Sequence, residues 1–348
     1  MAIFSSSNAY IGVDIGASAV KMVELERKGN KIELVTYGYS ENLKEAAGDG
    51  WTKNSDYVIK VIDKIYKKME TSSTMAVVTL PAFSVFSSII TLPNIDKNLL
   101  AAAVEAEAKK FIPLPLEEMI LDWKIIDTKK DNNDKNNSTI LLTGSSKKLI
   151  KRYVNIFRKT LISLTNLEPE TFSLIRALVG GDKSTVILME IGAVNTNIFI
   201  IKGGVPVLSR SLDIGGRSIS RSIAASLNIS LERAEQFKRD LGIAGGQSTG
   251  DVIPKTIANA ISPMIEEAKY LIDLFQSKNE EKVEKIILTG GTALLPNFAN
   301  FLSEKFNLNV IVGDPWARIS CRPELKPVLA EIGPRFAVAI GAALRELE

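Results

Sequence analysis

Two segments of the chain carry the same alternation of apolar strands, an acidic residue and a glycine turn. The first is YIGVDIGASAVKMVELE, from Tyr10 to Glu26, and the second, about 176 residues later, is VILMEIGAVNTNIFIIKGG, from Val186 to Gly204. Asp14-Ile15-Gly16 aligns with Glu190-Ile191-Gly192. Each segment predicts two strands joined by a tight turn. A repeat at this distance indicates two half-molecules of similar topology, because solenoid repeats are far shorter.

Periodicity predicts the elements that follow the first hairpin. Apolar residues at i, i+3, i+4 and i+7 favour helices, and short apolar runs favour strands. The predicted elements are a strand at Lys31–Glu41, a helix at about Ser55–Met69, a strand at Met75–Leu80, a helix at about Lys97–Phe111, strands at Met119–Asp127 and Thr139–Gly144, and a helix at about Lys147–Leu161. The elements after Pro81 form a candidate inserted α+β subdomain at roughly 84–163, with a polar hairpin tip at 129–137.

The second half repeats the hairpin and then becomes helical. Gly215-Gly216 opens one helix, Ser230 is an N-cap candidate for a helix that ends at Gly242, and a glycine-rich tract follows it. A long helix with an isoleucine stripe is predicted at about Pro254–Gln276. A buried strand at Ile286–Leu288 then leads into Thr289-Gly290-Gly291-Thr292. Paired glycines between a strand and a helix let a flat ring approach the backbone, since no Cβ intervenes.

Composition narrows the classes of function. The chain has 348 residues, 45% of them hydrophobic, which is enough for two core-bearing domains. Its 43 basic and 40 acidic residues give no electrostatic case for nucleic acid. It has no histidine, which removes histidine-based acid–base and metal chemistry, and one cysteine, which removes a disulfide framework. We find no apolar run near the roughly 18 residues of a membrane span and no secretory signal pattern, so we expect a soluble, cytoplasmic protein.

The paired hairpins point to a polyphosphate. Two glycine turns that face each other across a cleft can donate backbone N–H groups from both sides. The acidic residues at the strand ends, Asp14 and Glu190, would hold a hydrated Mg²⁺ beside the phosphates. Either hairpin alone is more simply a tight turn, and the Gly290-Gly291 loop alone is more simply a strand-to-helix turn. The succession of all three carries the prediction.

This order resembles the ATPase fold shared by actin, sugar kinases and heat-shock chaperones. Two further segments resemble the connecting helices between the halves of that fold: NLEPETFSLIRAL at Asn166–Leu178 and FAVAIGAAL at Phe336–Leu344. The resemblance implies an α/β, actin-like (ribonuclease H-like) duplicated ATPase fold. The inserted subdomain resembles that of FtsA-type proteins.

Three stretches are similar to the PilM family of actin-like type IV pilus assembly proteins. They are LPAFSVFSSIITLPNI, EAEAKKFIPLPLEEMILDWKII and LDIGGRSISRSIAASLNISLERAEQFKRDLG. The resemblance implies ATP and Mg²⁺ as cofactors, with metal-side residues Asp14 and Glu190. The nucleotide-binding residues that it implies are Gly16, Ala17, Ser18, Lys21, Gly192, Ala193, Asn195, Thr196, Gly215, Gly216, Glu235, Lys238, Gly290, Gly291 and Thr292.

Glu190 differs from the family pattern, and the Glu235–Lys238 pair also has a simpler interpretation. Glu190 stands where the family pattern usually has Asp, and its extra methylene moves the carboxylate by roughly 1.5 Å. We therefore expect ATP binding, with hydrolysis slow or absent. Glu235 and Lys238 match the pair that binds the ribose hydroxyls, whereas their spacing alone predicts an exposed i,i+3 salt bridge.

The resemblance also predicts the division of the chain. The first actin-like subdomain (1A) comprises residues 1–83 and 164–183, rejoined by a C-terminal helix at 334–348. The inserted subdomain (1C) is 84–163. The second half comprises subdomain 2A, at 184–218 and 285–333, and subdomain 2B, at 219–284.

The expected function is that of a cytoplasmic adaptor, peripheral to the inner membrane, in the type IV pilus assembly platform. It would bind the N-terminal cytoplasmic tail of a PilN-like membrane protein in a groove between subdomains 1A and 1C. No nucleic acid and no direct membrane insertion are expected, and other platform proteins or a homo-oligomer are left open. The alternatives are a small-molecule kinase of the same fold and an FtsA-like, filament-forming division protein.

Overall fold

A computed structural model describes residues 8–41, 55–93, 97–112, 114–130, 136–243, 252–278 and 281–348. The chain divides into two compact units, one made of residues 1–79 and 156–348 and the other of residues 80–155. The strands are β1 Ala9–Ile15, β2 Ala19–Lys28, β3 Lys31–Glu41, β4 Met75–Leu80, β5 Val85–Pro93, β6 Met119–Lys130, β7 Asn136–Ser146, β8 Ser163–Pro169, β9 Val186–Ile191, β10 Thr196–Lys202, β11 Val205–Leu212, β12 Lys285–Thr289 and β13 Asn309–Val312. The helices are α1 Ser55–Met69, α2 Lys97–Ala108, α3 Lys147–Phe157, α4 Glu170–Leu178, α5 Gly216–Leu227, α6 Leu231–Leu241, α7 Val252–Lys278, α8 Phe298–Phe306 and α9 Lys326–Leu344.

The larger unit contains two five-stranded sheets with the same strand order. The first runs β3-β2-β1-β4-β8 and the second runs β11-β10-β9-β12-β13. In each sheet the opening hairpin is antiparallel, and the strand that enters next, β4 or β12, lies parallel to the first strand of the hairpin. The duplicated α/β fold that the sequence repeat predicts is therefore confirmed.

The second half has its core on the helical face of its sheet. Helix α7 places Ile257, Ile261, Ile265 and Ala268 in that core, as the isoleucine stripe predicts, and it begins two residues before the predicted start. Helix α6 begins after Ser230, whose hydroxyl accepts a hydrogen bond from the backbone N–H of Arg233, so the predicted N-cap is confirmed. The glycine-rich tract that follows α6 lies, at residues 244–251, outside the described residues.

Three predicted boundaries are wrong. The first connecting helix does not start at Asn166, because Ser163–Pro169 forms the edge strand β8 and the helix begins only at Glu170, after Pro169. Helix α2 ends at Ala108, and Phe111, beyond it, is 49% exposed. Helix α3 ends at Phe157 rather than near Leu161. For α2 and α3 the apolar spacing continues past the residue at which the regular helix ends.

The smaller unit is a three-stranded antiparallel sheet with strand order β5-β7-β6. One face packs against helix α2, whose Leu100, Val104 and Ala108 join Ile90 and Ile140 in a separate apolar core. The unit thus has a core of its own, as expected of an inserted subdomain. Residues 131–135 of the predicted polar tip lie outside the described residues.

Helix α9 is the buried centre of the larger unit. Every residue from Phe336 to Leu344 is buried. The segment Pro323–Leu344 is the one helix in the described ranges that is long and apolar enough to cross a membrane, although we expected none from the sequence. Two-thirds of its most apolar window is buried inside the fold, as in the core helix of a globular protein.

Backbone contact without intervening side chains fixes α9 against both its neighbours. A Cβ on Gly12 of β1 would lie 1.8 Å from the carbonyl oxygen of Ala339. A Cβ on Gly341 would lie 1.8 Å from the carbonyl oxygen of Ser173 on α4. Neither position admits a side chain unless a backbone segment moves. The small residues of FAVAIGAAL therefore permit the close helix crossing.

A buried carboxylate lies next to this crossing. Glu168, at the end of β8, accepts hydrogen bonds from Arg176 of α4 at 2.8 and 3.1 Å and from Arg345, just after α9, at 3.0 Å. Ser173 also donates to it, and Arg176 reaches the carbonyl oxygen of Gly341 at 2.6 Å. Two cations and a hydroxyl therefore compensate the charge of Glu168, which would otherwise be costly to bury.

We predict that Gly341→Ala lowers the free energy of unfolding by about 3 kcal/mol or more, because the methyl group would overlap backbone that cannot move aside. Gly181→Ala is the matched control, since a Cβ there meets no atom within 4 Å. Denaturant unfolding of both variants checks the prediction. If Gly341→Ala lowered the free energy of unfolding no more than Gly181→Ala does, helices α9 and α4 would not be in backbone contact.

Candidate nucleotide site

The two hairpin turns have the same backbone geometry. The N–H of Gly16 donates to the carbonyl oxygen of Ala19 at 3.0 Å, and the N–H of Gly192 donates to that of Asn195 at 2.9 Å. Ala17 lies exposed at the first tip beside the half-buried Ser18, and Ala193 is half-buried at the second. The repeat is thus preserved in the turns themselves as well as in the strands.

The acidic residue before each turn faces a polar residue on the paired strand. Asp14 is opposite Lys21 in the register, and the two form an ion pair at 2.7 Å. Glu190 is opposite Asn197, whose side-chain amide donates to it at 2.9 Å. The repeat therefore places a cation in the first hairpin where the second has a neutral amide.

The two hairpins lie near each other, because the charge of Asp14 in the first acts on Glu190 in the second. Burial and the negative charge of Asp14 together raise the pKa of Glu190 to about 7, while Lys21 and the amide of Asn197 act against this rise. A negative charge nearby disfavours ionisation of a carboxyl. The acidic strand ends of the two hairpins therefore lie near enough for the charge of one to act on the other.

Glu170 is a further acidic residue at this site, and the sequence analysis did not select it. The amide of Asn197 donates to Glu170 at 3.0 Å as well as to Glu190, and its oxygen accepts from Ser211 at 2.6 Å. Asn197 is therefore held in one orientation between two carboxylates. An acidic residue directly after Pro169, in the first turn of a connecting helix, was the signal that could have selected Glu170.

The protein alone does not complete a metal site. Within the described ranges, no group of three or more His, Cys, Asp and Glu side chains is arranged to hold an ion. Mg²⁺ prefers six oxygen ligands and keeps several waters, so a cation beside Asp14 and Glu190 would need phosphate oxygens and water. The donor set fits a nucleotide-bound Mg²⁺ and does not fit a resident structural metal.

The Gly215-Gly216 turn packs directly on the second hairpin turn. The N–H of Gly216 donates to the carbonyl oxygen of Gly192 at 2.9 Å, and that of Arg217 donates to Ala193 at 2.8 Å. A Cβ on Gly215 would lie 2.7 Å from backbone atoms of Gly192 and Val194. Glycine is required there because the two turns touch. The neighbouring Asn195 and Thr196 bond to Asp213 and to the carbonyl oxygen of Ile214, both at 2.7 Å.

Glu235 and Lys238 are not an exposed salt bridge. Their charged atoms are 2.7 Å apart, but Lys238 is buried, and its ammonium also donates to Ser220 and to the carbonyl oxygen of Gly216. Burial lowers the pKa of Lys238, and Glu235 opposes that effect. The pair is therefore attached to the same turn that contacts the second hairpin.

The Gly-Gly loop, Gly290-Gly291, lies against the end of strand β9 in the second hairpin. Gly290 has a φ of +86°, and a Cβ on it would lie 2.4 Å from the carbonyl oxygen of Ile191, so the position requires glycine. Gly291 is exposed, and a Cβ on it would meet only Arg335, at 3.9 Å. The hydroxyl of Thr292 would lie 2.9 Å from a Cβ on Gly216. Three of the predicted residues of the second half, Gly192, Lys238 and Thr292, thus lie around Gly216.

Comparison with known proteins assigns the family. The model of the family "Type IV pilus assembly protein PilM" matches residues 12–347. The chain belongs to the PilM family. A solved PilM–PilN type IV pilus biogenesis complex has a chain with a TM-score of 0.84 and 24% identity, covering 97% of this chain and 98% of that one. The resemblance noted from the sequence is therefore confirmed.

More distant relatives have the same fold. The cell division protein FtsA of Bacillus subtilis is 20% identical over 351 residues, which covers 89% of this chain and 80% of FtsA. A MamK mutant bound to AMPPNP has a TM-score of 0.52 and 14% identity, with 98% and 99% of the two chains covered. These likenesses place this member of the PilM family among actin-like folds.

We predict that Glu190→Gln stabilises the protein more at pH 8 than at pH 5. The folded chain keeps the Glu190 proton up to about pH 7, whereas the unfolded chain loses it near the ordinary value of 4.5, so wild-type stability falls as the pH rises between these values. The free energy of unfolding of Glu190→Gln relative to wild type should rise by about 1–2 kcal/mol over this range, allowing for the partial exposure of Glu190. Denaturant unfolding at both pH values measures it.

Asp182→Asn serves as the control of opposite sign. Hydrogen bonds from Lys285 and Ser184 hold the pKa of Asp182 well below its usual range. The ionised Asp182 carboxylate stabilises the fold above the pKa of the unfolded chain, and this stabilisation is lost as the pH falls. Asp182→Asn should therefore lower the free energy of unfolding at pH 8, and lower it less in acid. If Glu190→Gln had the same effect at both pH values, the Glu190 carboxyl would not be perturbed.

Proposed function

We propose that this member of the PilM family is an ATP-binding, actin-like adaptor of the type IV pilus assembly platform, located in the cytoplasm at the inner membrane. The proposal that a nucleotide binds here is carried by two glycine turns with the same hydrogen-bond geometry, each of which follows an acidic strand end, and by the nearness of the two acidic residues, Asp14 and Glu190. Family membership supports the pilus part. It also favours an adaptor over a small-molecule kinase.

The residues fit a nucleotide on both sides of the cleft. The N–H groups of Gly16 and Gly192 close the two turns, so the residues that follow them at the tips would donate their backbone N–H groups to the phosphates, with Lys21 beside the first turn. On the other side, Thr292 and Lys238 lie beside the Gly216 turn, and Lys238 holds Glu235; a sugar and a base would lie there. An actin-like neighbour, MamK, was solved with AMPPNP, which supports a nucleotide in this fold.

Slow or absent hydrolysis stays a prediction. Bound Mg²⁺ would neutralise phosphate charge. The amide of Asn197 already occupies one oxygen of Glu190, and Glu190 is one methylene longer than the aspartate usual at this position. Both features place the carboxylate poorly for orienting an attacking water. These features support turnover well below the ~10 s⁻¹ of a typical enzyme.

Gly291→Val should weaken ATP binding at least tenfold while leaving the thermal midpoint nearly unchanged. The free protein should tolerate the side chain, because Arg335 is the one described residue that would lie within 4 Å of the added Cβ, but the isopropyl group would occupy the place of the base. Isothermal titration calorimetry measures the affinity. Gly290 is unsuitable for this test, since its φ of +86° strains any substitution.

The control is Gly181→Val, at a glycine with no atom within 4 Å of its Cβ. That variant should bind ATP as the wild type does. If Gly291→Val folded and bound ATP with unchanged affinity, the base would not lie against the Gly-Gly loop.

The proposed partner is the N-terminal cytoplasmic tail of a PilN-like membrane protein. The complex whose chain has the TM-score of 0.84 is a PilM–PilN complex, which supports this partner. The sequence-based expectation that the tail lies in a groove between subdomains 1A and 1C stays a prediction. The inserted unit itself exposes Phe83 and Leu99, at 63% and 61%, as apolar anchors for a peptide.

Phe83→Ser and Leu99→Ser should each weaken binding of the PilN tail peptide about fivefold or more, since a buried anchor contributes most of the affinity of a short peptide. ATP affinity should not change, because the nucleotide residues lie in the other unit. Fluorescence anisotropy with a labelled tail peptide measures the first effect. Tyr270→Ser is the control, at an exposed apolar residue of the larger unit (53%). If this variant weakened binding as much, the tail would not select the inserted unit.

A further inference from the structure

Helix α3 and the turn that follows it carry a local excess of positive charge. The chain as a whole is nearly balanced, but it has no acidic residue from Asn136 to Leu167. Within that stretch the basic residues are Lys147, Lys148, Lys151, Arg152, Arg158 and Lys159. All of them except the half-buried Arg152 are exposed. A balanced total is therefore compatible with one surface segment that attracts anions.

The stability of α3 itself does not explain these basic residues. Lys147 and Lys148 lie in the first turn of the helix, which has no acidic residue. The positive end of the helix dipole disfavours cations there. Ser146 already caps this end, because its hydroxyl accepts a hydrogen bond from the backbone N–H of Leu149 at 3.1 Å. Residues that oppose a local preference in this way indicate an interaction outside the helix.

The turn after α3 holds an apolar side chain in solvent. Leu161 is 54% exposed, whereas the next residue, Ile162, is buried. Hydrogen bonds fix the backbone of this turn: the N–H of Leu161 donates to Asp63 of α1 at 3.1 Å, and the hydroxyl of Thr160 donates to the carbonyl oxygen of Phe157 at 2.9 Å. Leu161 is thus presented to solvent by an ordered turn.

Helix α1 places two lysines beside this turn. Asp63 accepts from the turn as described, and Asp56 lies 3.6 Å from the ammonium of Lys159. Lys60 lies one helical turn from each of these acids, and Lys64 follows Asp63 directly, so both exposed lysines are near the turn. The two acids and two lysines of α1 offset each other in charge. The turn therefore keeps a net positive charge of its own.

We propose that the surface formed by Lys60, Lys64, Arg158, Lys159 and Leu161, here called the basic turn, binds the anionic surface of a lipid bilayer. Charge complementarity supports this occupant, because anionic headgroups attract clustered lysine and arginine. The exposed leucine favours a bilayer over a nucleic acid, since the boundary below the headgroups accepts an aliphatic side chain, whereas nucleic acid rewards cations and aromatic stacking.

This contact is peripheral and differs from insertion of a membrane span. It rests on the proposed location of the chain at the inner membrane. There it adds a direct lipid contact to the one expected through a PilN-like protein. A second, weak attachment matters because two weak signals together hold a protein at a membrane far better than either alone.

The test is co-sedimentation of the full chain with vesicles of phosphatidylcholine, either pure or mixed with phosphatidylglycerol. Wild type should bind the mixed vesicles about tenfold more strongly, and high salt should reduce this preference because exposed charges are screened. Arg158→Gln with Lys159→Gln should weaken binding to the mixed vesicles about tenfold or more, since each cation near an anionic surface contributes roughly fivefold.

Lys282→Gln with Lys305→Gln is the matched control for this double variant. It removes the same net charge from two exposed lysines of the second half and should bind as the wild type does. Leu161→Ser should weaken binding about threefold or more at low and at high salt, because burial of an apolar side chain is not screened. Its control is Leu231→Ser, at a leucine that is 46% exposed on α6.

Several outcomes would overturn the inference. Wild type could bind neither kind of vesicle, or both kinds equally. The two double variants could lose binding equally, which would show an effect of net charge alone. A DNA duplex could bind wild type, lose binding in the Arg158→Gln, Lys159→Gln variant and keep it in Leu161→Ser, which would assign the basic turn to nucleic acid. Failure of the proposed function would appear separately, as loss of ATP and PilN-tail binding by wild type, since neither measurement uses vesicles.

Discussion

Backbone contact between helix α9 and its neighbours is the constraint on which the arrangement of both sheets depends. At Gly12 it meets β1 of the first half, and at Gly341 it crosses α4, which leads into the second half. Pro334 of the same helix accepts hydrogen bonds from Thr289 at 2.9 Å and from the N–H of Gly290 at 3.0 Å. One helix thereby sets the first hairpin and the Gly-Gly loop relative to each other. Close-packed backbone transmits position because it has no rotamers to absorb a displacement.

The two hairpins keep one geometry and differ in charge. In the first, Asp14 has an ammonium partner, Lys21, so its negative charge is compensated within the hairpin. In the second, Glu190 has only an amide, shares it with Glu170, and lies in the field of Asp14. Duplication explains the shared backbone, and the different residues opposite the acids explain why one carboxyl is perturbed. The site therefore has one stable ion pair and one carboxyl that titrates near neutrality.

The sequence predicted the features that depend on local pattern. The duplicated hairpins, the Ser230 cap and the long helix α7 follow from periodicity and turn chemistry, and the structure has them. The strand β8, Ser163–Pro169, was missed because an edge strand of a sheet is defined by its partner β4, which is distant in the chain. Glu170 and Ser220 were missed for the same reason: their roles come from side chains 27 and 15 residues away. Spacing alone could not show that Lys238 is buried, since burial depends on how α5 and α6 pack.

A crystal structure of this protein with Mg²⁺ and AMPPNP would locate the nucleotide directly. We expect the triphosphate between the turns at Gly16 and Gly192, the ribose within hydrogen-bond distance of the carboxylate of Glu235, and the adenine against Gly290-Gly291. A nucleotide bound at any other place, or no binding at millimolar analogue in a well-folded protein, would contradict the assignment of this cleft as the nucleotide site.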